Sequence, residues 1–104
     1  MRRGEVWWAQ QPAPIGKRPV LLLSRDEAYH VRNAVTVAQI TTTVRNIPVE
    51  VTLDKKDGLP QTCVANLDTI TTIRKSILIK RICALRAEKM HAVDKALRFA
   101  LALV

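Results

Sequence analysis

The sequence predicts a mostly β fold, a small barrel closed by one C-terminal helix. Three observations carry that reading. Short segments rich in β-branched and apolar residues recur at roughly ten- to fifteen-residue spacing, with glycine and proline between them. The apolar period turns helical only after Ala87. A chain of 104 residues has room for one hydrophobic core, so residues 1–104 form a single domain, barrel about 3–84 and helix about 87–103.

The elements follow in order. Glu5-Val6-Trp7-Trp8-Ala9 is rich in strand formers, and Pro12-Ala13-Pro14-Ile15-Gly16 breaks it. Pro19 to Leu23 is a continuous apolar run, too short for a buried helix, and so a strand covered on both faces. Ser24, with Glu27 three residues on, can cap a helical turn through Tyr29. Val35 to Ile40 is β-branched and runs into three threonines, whereas Val49 to Leu53 alternates, one face wet and one face core. Asp54 to Gly58 reads as a turn, and Pro60 delays the next strand to about Thr62. Cys63–Leu67 and Thr69–Ile73 read as two segments flanking Asp68, and Ile77 to Ala84 as the last strand. From Ala87 on, Met90, Val93, Leu97, Ala100, Leu101 and Val104 form one apolar stripe. Asp94 and Arg98 are spaced for an i,i+4 pair on its outer side, and Arg86 stands where a capping residue is expected.

Composition narrows the function. Hydrophobic residues are 48% and charged residues 25%, as in a folded soluble domain. Seventeen Lys and Arg against nine Asp and Glu give +8, which suits a polyanionic partner. Gly4-Glu5 follows Met1-Arg2-Arg3 without an apolar signal-peptide core, and Phe99 to Val104 is too short to span a bilayer. Cys63 and Cys83 lack CxxC spacing and the two histidines, His30 and His91, are scattered, so the expectation is free thiols in the cytoplasm and no metal or other cofactor.

The motifs of common hydrolases and nucleotide binders are absent, which leaves arginine, hydroxyls and one carboxylate as chemical groups. Such a set suits stabilising charge on phosphoryl oxygens. Lys17-Arg18 ends the Pro/Gly loop and runs into the most apolar strand; Thr41-Thr42-Thr43 and Arg45 follow another. Arg74, Lys75, Lys80 and Arg81 put four positive charges in eight residues, a run that could track a nucleic-acid strand or be a solvated face.

The order of these fragments resembles the MazF/PemK (Kid) family of toxin endoribonucleases. It shows in Arg3-Gly4-Glu5-Val6-Trp7, in Lys17-Arg18-Pro19-Val20-Leu21-Leu22-Leu23-Ser24, in Gln39-Ile40-Thr41-Thr42-Thr43-Val44-Arg45-Asn46-Ile47-Pro48, in Val64-Ala65-Asn66-Leu67-Asp68, and in Met90 to Leu97. The resemblance implies an SH3-like barrel that dimerises and cuts single-stranded RNA without a metal, through attack by the ribose 2′-OH. It implies catalytic roles for Arg18 and Thr41, with Asp68 in the place of an aspartate used by the PemK/Kid branch. That branch's arginine two residues earlier is Asn66 here, and the Pro12 to Lys17 loop is short and lacks the Glu or His of some members. RNA contacts are expected from Lys17, Thr42, Thr43, Arg45, Asn66, Arg74 and Lys75. A cognate antitoxin with an acidic, disordered segment is expected at Trp7, Trp8 and Arg18. The alternatives are a non-catalytic nucleic-acid-binding barrel and a CcdB-like gyrase poison; the latter type ends in Trp-Gly-Ile, whereas this chain ends Leu101-Ala102-Leu103-Val104.

Overall fold

Six β-strands, each antiparallel to its neighbours, form one curled sheet, half of a barrel, in a computed structural model that describes residues 1–104. The elements are β1 (Glu5–Gln10), β2 (Lys17–Leu22), α1 (Ala28–Val31), β3 (Ala34–Thr41), β4 (Glu50–Leu53), β5 (Cys63–Arg74), β6 (Leu78–Ala84) and α2 (Ala87–Ala100). Strand order is β4-β5-β3-β2-β1-β6.

Alternation along the strands sorts side chains onto two faces. Val6, Leu21, Ala38, Ile40, Val51, Leu53, Ala65 and Leu67 build the larger core, which α2 covers with Val93 and Ala96. Ala9, Val20, Leu22, Val35, Val37 and Leu78 build a second core on the other face, closed by Tyr29 of α1. Leu21 and Leu22 are wholly buried on opposite faces, as the apolar run from Pro19 predicts. Full burial of one such leucine contributes about 1.5–3 kcal/mol.

Several local readings are corrected. Strand β2 begins at Lys17, so Arg18 belongs to the strand and not to the loop before it. Ser24 caps no helix: its Oγ accepts the Thr36 N–H at 2.8 Å, tying the connection to β3, and α1 begins only at Ala28. The two segments around Asp68 are one strand with a bulge. Pairing with β3 jumps from Gln39↔Asn66 to Ala38↔Ile70, so Leu67, Asp68 and Thr69 lack β3 partners and the strand bends there. Helix α2 stops at Ala100, leaving Leu101 and Val104 outside the apolar stripe and exposed; Ala96 takes a buried place instead. Asp94 pairs not with Arg98 but with Arg3 at 2.7 Å, joining the helix to the start of β1.

The turn after β4 is tighter than sequence alone suggests. Asp54 caps a 3₁₀ turn (Lys55–Asp57) and Asp57 returns the bond, a capping box. Gly58 ends it at φ 102°, and a Cβ there would lie 2.6 Å from the Cys83 Cβ. Glycine is therefore required twice over, by backbone and by space.

Candidate active site

One end of β2 and β3 is where both cores stop and polar residues take over. Val20 of β2 faces Gln39 of β3. Two residues further along each strand lie Arg18 and Thr41, on the face that carries Val20, Leu22, Val35 and Val37. The register thus brings arginine and threonine side by side at the rim of the second core.

Two cavities meet at this pair. The first, about 290 Å³, opens at the end of the larger core between Trp8, Lys17, Leu59, Gln61 and Cys63. The second, about 480 Å³, is lined by Ile15, Gln39, Thr43, Arg45, Asn66 and Thr69 among others. Arg18, Ile40 and Thr41 border both.

The side chains at the junction are held but not used up. Arg18 is exposed, donates only its Nε–H, to the Ile15 carbonyl at 3.3 Å, and makes no salt bridge. The Nη groups of its guanidinium keep their donors free for an anion. Thr41 Oγ1 accepts the Thr43 N–H at 3.2 Å, which orients the hydroxyl and leaves its proton to donate outward. Lys17 rests its ammonium 5.1 Å from the centre of the Trp8 ring, a cation–π contact that holds the charge at the cavity mouth. Neither cavity is lined by Asp, Glu or His. The Cys63 thiol is pushed up to about 11, chiefly by burial, and stays protonated at neutral pH.

Of the expected site residues, Arg18, Thr41, Lys17, Thr42, Thr43, Arg45, Asn66 and Trp8 come together here. Asp68 does not: it sits exposed on the bulge and lines neither cavity, and its N–H donates to Asn66 Oδ1 at 2.9 Å. Arg74 and Lys75 lie at the opposite end of the β3–β5 pair, Arg74 facing Ala34. Seven residues of strand, about 23 Å, separate Ala34 from Thr41. Lys75 Nζ donates to the Tyr29 carbonyl at 2.7 Å. Trp7 packs on the second core and donates its Nε1–H to Glu5 Oε1 at 2.9 Å, outside both cavities.

Sequence reasoning missed three residues. Gln11 and Gln39 exchange amide hydrogen bonds, and Glu50 Oε1 receives the N–H groups of Arg45 and Asn46, both at 2.9 Å, anchoring the loop that carries Arg45. Gln39 carries a readable signal. It follows Val35 and Val37 on one strand face, and a polar side chain in that position needs a partner. Glu50 carries none, since its role depends on loop closure.

Residues 2–101 match the family described as PemK-like, MazF-like toxin of type II toxin-antitoxin system. The chain is 39% identical over 99 residues to "Probable endoribonuclease MazF5" of Mycobacterium tuberculosis, covering 94% of this chain and 90% of the relative. Among solved structures, Mycobacterium tuberculosis toxin MazF-mt6 superposes with a TM-score of 0.89 at 36% identity, covering 96% of this chain and 98% of the other. An endoribonuclease in complex with its cognate antitoxin, from a mycobacterial species, superposes with a TM-score of 0.88 at 29% identity, covering 100% and 97%.

Proposed function

The chain belongs to the PemK-like, MazF-like toxins of type II toxin–antitoxin systems, and on that premise we propose that it is a metal-independent, sequence-specific endoribonuclease acting on single-stranded RNA from the Arg18–Thr41 junction. Family membership favours cleavage over a non-catalytic barrel or a CcdB-like gyrase poison. In the reaction the ribose 2′ oxygen attacks the adjacent phosphorus and the P–O5′ bond breaks. The products are a 2′,3′-cyclic phosphate and a 5′-OH.

One observation carries the site assignment: a guanidinium with free Nη donors beside an oriented hydroxyl donor, where two cavities meet. Charge grows on the non-bridging phosphoryl oxygens in the transition state, and these donors answer it without reorganising. Arg18 acts by offering its Nη donors to that charge. The 2′-OH gives up one proton and the departing 5′ oxygen takes one, so the step balances with no net change in protonation.

The basic cleft is equally a site for carboxylates, and an acidic, initially disordered antitoxin segment occupies it in competition with RNA. The protein acts in the cytoplasm as a homodimer. The dimer is supported by apolar residues at and just beyond the end of α2, where Phe99 is 63% and Leu103 is 57% exposed.

The test is incubation with single-stranded RNA in EDTA followed by mapping of the ends. Cleavage should persist, leave 5′-OH ends and fail where the cut site carries a 2′-deoxyribose. Cleavage of an all-DNA oligonucleotide, or full loss of activity in chelator, overturns the proposal.

A further inference from the structure

We propose that the 480 Å³ cavity beside Arg18 is a nucleobase subsite, in which Gln39 and Asn66 read the edge of one base next to the cut. The inference rests on the RNA-cleaving reading above and adds to it the residues that select a base.

The floor of this cavity is made of amides. Gln39 donates Nε2–H to Gln11 Oε1 at 2.8 Å, and Gln11 donates back to Gln39 Oε1 at 3.1 Å. The exchange uses one N–H and one lone pair of each amide and fixes both planes. Gln11 is buried, whereas Gln39 is half-exposed and lines the cavity, so the unspent N–H and lone pair on that side belong to Gln39. Its strand neighbour across the sheet is Asn66, on the same face. Asn66 is 8% exposed. Its Oδ1 accepts the Asp68 N–H at 2.9 Å, a bond that only oxygen can accept. That fixes the amide orientation and leaves the NH₂ end without a protein partner. The bulge at 67–69 is what supplies this bond, which gives the irregular strand a purpose.

Charge and shape select the ligand class. A phosphate calls for cations, and Arg18 and Arg45 stand among the residues lining the cavity. Neutral amides presenting adjacent donors and an acceptor match the hydrogen-bonding edge of a base, as Asn and Gln do in nucleic-acid readers. Pro14 and Ile15, both exposed, add apolar surface for a flat ring. Together these groups fit one nucleotide, its base on the amides and its phosphate at the arginines.

The test has two arms. In the first, cleavage of a randomised RNA pool is sequenced for the parent and for Gln11→Leu/Gln39→Leu. Removing both members of the amide pair leaves no orphaned polar group, so the fold is kept. The discrimination at one nucleotide position beside the cut should fall on the order of ten- to a hundredfold, with the other positions retained. An unchanged preference, or an equal loss at every position, overturns the proposal. In the second arm, side-chain NH₂ resonances of Gln39 and Asn66 are followed by NMR during titration with RNA blocked by a 2′-deoxy residue at the cut site. Both should shift, and an abasic residue at the selected position should abolish the shift. Equal shifts with intact and abasic RNA overturn the subsite. If the parent cuts no RNA, the function reading fails on its own, and the NMR arm still decides whether the cavity holds a base.

Discussion

Replacing Arg18 by alanine removes the free donors at the cavity junction and almost nothing else. The side chain is exposed, makes one hydrogen bond, 3.3 Å to the Ile15 carbonyl, and has no ion pair. Loss of one solvent-exposed bond costs about 1 kcal/mol or less of stability. Loss of a preorganised donor to a developing oxyanion costs about 2.7–4 kcal/mol of barrier, or on the order of 100- to 1,000-fold in rate. The two effects therefore separate cleanly. Single-turnover cleavage of a short fluorogenic RNA in EDTA should fall by that factor while the urea midpoint barely moves. Arg18→Lys keeps the charge but loses the planar fork, and should recover only part of the rate. Parental cleavage by a folded Arg18→Ala protein refutes the site, and loss of cooperative unfolding refutes the view that Arg18 has no structural duty.

Three further outcomes are expected. Lys75→Ala loses the bond from Nζ to the Tyr29 carbonyl and should cost about 1–2 kcal/mol of stability; a lower salt slope of RNA binding with unchanged stability would instead mark Lys75 as an RNA contact. Gly58→Ala must adopt φ near 102° and place a Cβ 2.6 Å from that of Cys83, costing about 2–4 kcal/mol; an unchanged denaturation midpoint sinks this reasoning. Burial raises the Cys63 thiol from 9.0 to about 11, raises Cys83, and raises the Tyr29 hydroxyl from 10.0 to about 12. The unfolded chain releases these protons first, so stability is full below about pH 9 and falls as pH climbs through 11 to 12; equal urea midpoints at about pH 8 and about pH 11 contradict it.

What the sequence determined by itself is what depends on near neighbours. The run Pro19 to Leu23, the alternation from Val49 to Leu53, the stop at Pro60 and the change of period at Ala87 each report a local preference, and the strands and helix lie where these signals put them. The resemblance in residue order likewise reached Arg18 and Thr41, because such a motif is read along the chain. The juxtaposition of those two residues was decided by the pairing of β2 with β3, and one residue of slip would send Thr41 to the other face. Tertiary structure alone sent Lys75 to the Tyr29 carbonyl, Asp94 to Arg3, and Asp68 out onto a bulge that has no local signature. It also matched Gln11 to Gln39 across 28 positions of sequence. Each of these outcomes depends on which distant group a long or polar side chain meets when the sheet curls. That is settled by closing loops and satisfying buried polar atoms together, not by the preference of any segment.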